Sequence, residues 1–272
     1  MRLWKSVSAA LVSALRHPGL WLLQLFGNVI VGLLFVWWLN IGVANWWEIF
    51  LNVVVALIVF FLALLLHGGT MNYCAEVTDD KSAKLRPAFK RALRNLLAFA
   101  IWAFILHFVH ALRHMDNYQY SFPGYLRSEF PAWLRRHVSE EGVRSLYQGI
   151  LFLLRWIVIP GLLLPLGLLC IQKGFRGFIS FREWGRMLRN LPYWIVIVLA
   201  ALIGVYCGGL IVSDWRLNPQ TSTLGGEESF AAFRLFFAYL LAIFSWLWVC
   251  FMLAKARPQH EPPPAESQKV AA

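Results

Sequence analysis

Six stretches of about 20 residues are almost free of charge, and they govern everything else this chain can do. They run over about 20–39, 49–67, 95–112, 149–171, 192–213 and 231–254. About 20 apolar residues in a helix match a hydrocarbon layer roughly 30 Å thick. No water in that layer can satisfy a backbone amide, so such runs fold as helices. The predicted fold class is all-α: a polytopic membrane bundle of six transmembrane helices over residues 1–255. The composition agrees, with 59% of residues hydrophobic and 14% charged. Many of the fourteen tryptophans lie near block ends, where an amphipathic ring prefers the headgroup level.

A basic amphipathic segment precedes every odd-numbered block. The first is residues 1–18, with Leu3, Val7, Leu11 and Ala14 at helical spacing and Arg2, Lys5, Ser13 and Arg16 on the other side. Pro18-Gly19 breaks it. The second follows Gly68-Gly69, which is read as the end of span two. It carries Lys81, Lys84, Arg86, Lys90, Arg91 and Arg94 beside a stripe of Leu85, Phe89, Leu93 and Leu96, with Asp79 or Asp80 as its expected N-cap. The third covers Gln172 to Leu191. Each reads as a helix lying in the membrane plane, so the expected organisation is three repeats of surface helix plus transmembrane hairpin.

Orientation follows from the cations. Seventeen lysines and arginines fall on the side of the termini and surface helices, against six in the opposite loops. That imbalance predicts both termini in the cytoplasm. It also explains the net charge of +11 without nucleic acid, which is excluded as a partner. The first 18 residues are read as a surface helix rather than a cleavable signal. Cys74, Cys170, Cys207 and Cys250 show no CxxC spacing, and no disulfide or cysteine-bound metal is expected. The tail, 256–272, is polar and contains Pro262-Pro263-Pro264, as disordered segments do.

The candidate site residues are the polar groups within the spans. Arg155 falls roughly 8 Å inside span four by helical rise, and Arg234 enters span six at similar depth. With His107, His110 and Asn52 they form the expected ligand-binding set, a polar cavity open to the outer leaflet that suits an anionic headgroup or phosphate. Separate snorkelling of the two arginines to the interface is the alternative. His107, His110 and His114 follow one another at i, i+3, i+7, which admits a metal or haem site, but no second ligand cluster completes it. No metal and no cofactor is expected. Pro160 and Pro165 predict a bend in span four. Gln24 and Asn28 share a face of span one and are expected to bond other helices. Ala200, Gly204 and Gly208 form a small-residue row suited to close packing.

The entries Leu93-Arg94-Asn95-Leu96 and Leu188-Arg189-Asn190-Leu191, with six spans and in-plane basic helices, resemble a broad group of bacterial membrane proteins. The layout is similar to the membrane domain that precedes some glycerophosphodiester phosphodiesterases. The resemblance implies a bacterial inner-membrane location; the phosphodiesterase domain is not in this sequence, so its activity is not carried over. No nucleophile elbow, HExxH motif or paired carboxylate within a span points to an enzyme. The favoured function is binding or helping to move an amphipathic, anionic, lipid-like molecule, or acting as the membrane partner of another protein. The expected partners are membrane lipid and either protein subunits or a homo-oligomer. A histidine-based metal or haem protein and a small-solute transporter are the alternatives.

Overall fold

The computed structural model describes residues 2–110, 115, 118, 121–215 and 224–257. The described residues are helical, with no strand among them. Five helices are long and apolar enough to cross a membrane. A sixth crossing is made if a pair bent by 76°, Leu85–Arg94 and Leu96–Phe108, counts as one span. The protein is an all-α, multi-pass membrane bundle.

The amphipathic helix α1 (Arg2–Leu15) leads through His17 into α2 (Pro18–Leu39), whose first position is the proline. A proline there costs no hydrogen bond, because the first-turn amides have no helical partner. Asn45 caps α3 (Trp46–Asp79), its Oδ1 accepting from the Glu48 amide at 3.0 Å. α3 runs for 34 residues. Gly68-Gly69 therefore does not end it, contrary to the expectation from sequence. The pair serves close approach instead: a Cβ on Gly68 would lie 3.0 Å from Phe99 and Ile171, and one on Gly69 only 2.4 Å from Phe89.

The second amphipathic helix, α4 (Leu85–Arg94), starts later than predicted. Asp80 is the C-cap residue of α3, and its carboxylate accepts from the Ser82 amide at 2.9 Å and from the Ser82 hydroxyl. Asp79 and Asp80 thus close one helix rather than open the next. α5 (Leu96–His110) packs on α9 (Ile159–Lys173). Between them come α6 (Ser121–Ser128), α7 (Ala132–His137) and α8 (Glu140–Leu153). α8 joins α9 through a π-helical turn, Leu154–Val158. Pro160 has no N–H to offer the carbonyl four residues earlier, and the wider turn accommodates that gap.

The predicted third surface helix is shorter than 172–191. It consists of a 3-10 turn, Gly174–Gly177, then α10 (Phe181–Leu188). Gly174 has φ +63°, a conformation that favours glycine. α11 (Leu191–Ala200) continues through a π segment, Ala201–Cys207, into α12 (Gly208–Ser213). All three pack along α13 (Leu224–Ala256). A Cβ on Gly204 would lie 2.7 Å from the Ser245 hydroxyl, so the small-residue row does face a helix.

The core gathers at one end of the bundle. It contains Val7, Ala10 and Ala14 of α1, the stretch Gly68 to Ala75 of α3, Leu168 to Ile171 of α9 and Leu247 to Ala254 of α13. The Trp248 indole donates to the Val7 carbonyl at 3.4 Å, and the Trp21 indole to Ala14 at 2.9 Å. Arg257 pairs with Asp79. Both ends of the described chain therefore lie at this same end of the bundle.

Candidate functional site

Of the residues predicted to line one polar cavity, Asn52 and Arg234 have different hydrogen-bond partners. Asn52, on α3, accepts a hydrogen bond from the Trp38 indole at 2.8 Å and ties the α2–α3 hairpin together. Arg234, on α13, donates to the carbonyls of Val212 (3.2 Å) and Trp215 and lies 5.5 Å from the Phe230 ring. It thus satisfies carbonyls at the end of α12, as a cation near a helix C-terminus does. Arg155 is half-buried in the π turn. His107 is exposed on α5. The side chain of His110, all of His114, Arg216 and the tail from Pro258 lie outside the described residues. No group of three His, Cys, Asp or Glu side chains able to hold a metal is found among the described residues.

His107 lines an apolar groove of about 680 Å³ between α3 and α5, floored by Leu164 and Trp246. The groove's second imidazole is His67, which meets the Trp246 ring edge-on at 5.3 Å. A second groove of about 530 Å³ adjoins it. Phe60 and Leu64 are common to both, and Leu57, Phe61, Leu93 and Leu97 complete most of the second wall. Its lining is almost wholly hydrocarbon.

α4 stands at the head of this second groove. Leu93 belongs to α4 and lines the groove, and Arg86 and Lys90 precede it by seven and three residues, on the same helical face. Arg86, Lys90 and Arg94 are exposed and have no hydrogen-bond or ion-pair partner among the described residues. Arg91 alone is engaged, with Glu76. That carboxylate raises the guanidinium's already high pKa. The arrangement is a cationic amphipathic helix at the head of an apolar trough.

On the other side of α4 lies a polar recess that neutralises itself. The buried Asn72 amide donates to Glu76 Oε1 (2.8 Å) and to the Ala88 carbonyl (2.9 Å). Glu76 also receives Arg91 Nε at 2.6 Å. Lys173 pairs with Glu183, and Arg257 with Asp79. Asn95 donates to the carbonyls of Ile171 (3.0 Å) and Gln172 (3.1 Å), holding the C-terminal end of α9. With its carboxylates matched by cations, the recess clamps helices together and offers little to a charged ligand.

Sequence reasoning missed the Asn72–Glu76–Arg91 clamp and His67's place in the groove. The signal for the first was present: Asn72 and Glu76 are four apart on one helix, so their side chains meet. No protein-family model, characterised protein or solved structure matches this chain.

Proposed function

We propose that this is a non-enzymatic membrane protein that binds, and helps to position or move, an amphipathic anionic molecule such as a phospholipid. The tail takes the apolar trough along α3 and the head meets Arg86, Lys90 and Arg94. The observation that carries this reading is the direct succession of unpaired cations and hydrocarbon wall, seven residues apart on α4. An anionic head is drawn to such cations by about 1 kcal/mol per charge near a membrane surface. The trough contributes shape rather than transfer energy, because an acyl chain in the bilayer is already in hydrocarbon.

The same proposal includes a bacterial inner membrane, six crossings in three repeats, and both termini in the cytoplasm. Support comes from α1, α4 and α10, each a short amphipathic helix leading within a few residues into a long apolar one. The cation imbalance supports the orientation.

The test is lipid analysis of the protein purified in mild detergent from a membrane of mixed headgroups. Anionic phospholipid is expected to co-purify in excess over its membrane share. The triple variant Arg86→Gln/Lys90→Gln/Arg94→Gln should lose most of that excess while melting at the same temperature. An unchanged lipid profile in the triple variant would sink the proposal.

A further inference from the structure

A second recess, of about 710 Å³, lies where α1 meets the C-terminal ends of α3 and α13. It shares no lining residue with the trough. Four cations line it: Lys5 from α1, Arg16 just beyond that helix, Lys81 from the turn after α3, and Lys255 from α13. No carboxylate among the described residues does. The acids nearest in sequence are engaged elsewhere: Glu76 with Arg91, Asp79 with Arg257, and Asp80 with Ser82. The two faces flanking the end of α3 therefore differ in kind. One is neutralised by its own ion pairs, and the other gathers four positive charges around an open space.

Cations near helix C-termini are stabilised by the helix dipole, which accounts for Lys81 and Lys255. It accounts as well for Arg16, which directly follows the last residue of α1, but not for Lys5, which lies near the N-terminal end of that helix. His17 adds directionality. Its Nδ1 lies 2.7 Å from the Ser13 carbonyl, which can only accept, so Nδ1 carries the proton and Nε2 is left for another partner. The ring is held in place by Phe251, at 5.1 Å, and by Tyr73. One flank of the recess is apolar: Val12 lines it, and Trp4 and Leu15 on α1 are exposed beside it.

We infer that this recess binds a phosphate group, with Lys5, Arg16, Lys81 and Lys255 neutralising its oxygens and His17 donating from Nε2 when protonated. The group is the head of an anionic phospholipid or a free phosphate. The apolar flank suits the lipid, whose chains would lie along Val12 and Leu15. Basic pockets between membrane helices hold anionic headgroups in this manner.

The experiment uses the full chain in detergent, stripped of lipid. Native mass spectrometry measures retention of dioleoyl phosphatidylglycerol against dioleoyl phosphatidylcholine, and thermal unfolding measures the response to inorganic phosphate. Wild type, Lys5→Gln/Arg16→Gln and the control Arg86→Gln/Lys90→Gln are compared. Lys81→Gln, in an exposed turn, serves as well if the α1 pair disturbs folding. Each charge removed from the recess should weaken the bound probe about fivefold. Loss of phosphatidylglycerol alone identifies a lipid head, and loss of a phosphate-induced rise in melting temperature identifies free phosphate. If the α1 and Lys81 variants retain both probes like wild type, the inference is wrong. Loss in the α4 control alone would leave the trough reading standing and remove this one. Loss in the α1 variants alone would do the reverse.

Discussion

The two halves of α3 make the sharpest contrast in the molecule. From Trp46 to Phe61 the helix presents large side chains, and Trp46, Ile49, Phe50, Val53, Leu57 and Phe61 are exposed. From Gly68 to Ala75 every residue is buried, and the stretch reads Gly, Gly, Thr, Met, Asn, Tyr, Cys, Ala. Hydrophobicity does not explain the difference, because the exposed half is the more apolar. In lipid there is little gain in hiding a leucine from hydrocarbon. Helices associate where small residues let backbones approach and where polar groups bond between helices. The Gly68 half has both: tight contacts at Gly68 and Gly69, and Gln24 of α2 donating to Thr70 at 2.5 Å. The Tyr239 hydroxyl of α13 reaches the Leu25 carbonyl at 2.7 Å in the same layer. The splayed half leaves its large side chains to lipid, and there the apolar grooves open.

That comparison can be broken by substitution, and the largest effect is expected where backbone meets backbone. A Cβ at Gly177 would lie 2.6 Å from the backbone of Cys170 and Leu169. Gly177→Ala should cost about 1–3 kcal/mol of stability in detergent, read by thermal unfolding. A neutral result would mean that the packed end is looser than described. Next is Gln24→Leu, which removes the bond to Thr70 and one of the two acceptors of the Asn28 amide. A loss of about 1 kcal/mol is expected, the usual scale for a hydrogen bond between membrane helices. Arg234→Met releases the Val212 and Trp215 carbonyls and should cost somewhat less than 1 kcal/mol, because the group is near solvent.

Gly32, on α2, tests the other helix of the hairpin that the splayed half of α3 belongs to. Nothing lies within 4 Å of a Cβ placed there. Gly32→Ala should therefore stabilise slightly, by about 0.5 kcal/mol, through helix propensity alone. A destabilised variant would reveal packing in a region described as open. The smallest effect concerns Asp80, whose carboxyl the Ser82 amide and hydroxyl hold below its ordinary pKa. A lowered folded-state pKa stabilises above the unfolded value, and the benefit is lost as pH falls through the folded one. Wild type should lose slightly more stability on acidification than Asp80→Asn, measured as melting temperature against pH.

Part of this was legible in the residues. The apolar blocks located the long helices, because only a helix satisfies its backbone over such a length. Gln24 was correctly read as an interhelical donor, whereas Asn28 bonds back within its own helix to the Gln24 carbonyl at 2.8 Å and to Gln24 Oε1 at 2.9 Å. The paired Leu-Arg-Asn-Leu entries look alike and behave differently. Asn190 caps α11, accepting from the Tyr193 amide at 3.2 Å, while Asn95 reaches across to α9. One motif at two places had two outcomes, because the neighbour that completes each bond lies 76 residues away in one case and three in the other.

Length and polarity along the chain determined by themselves that this protein is a bundle of membrane helices with amphipathic segments between them. Local chemistry suffices for that, since each helix closes its own hydrogen bonds. Tertiary structure alone decided which glycines are contacts rather than stops, which carboxylates are already paired, and which cations remain available around the recess of α1. Those outcomes depend on partners distant in sequence, and a bilayer that treats every apolar surface alike leaves shape and hydrogen bonding to choose among them.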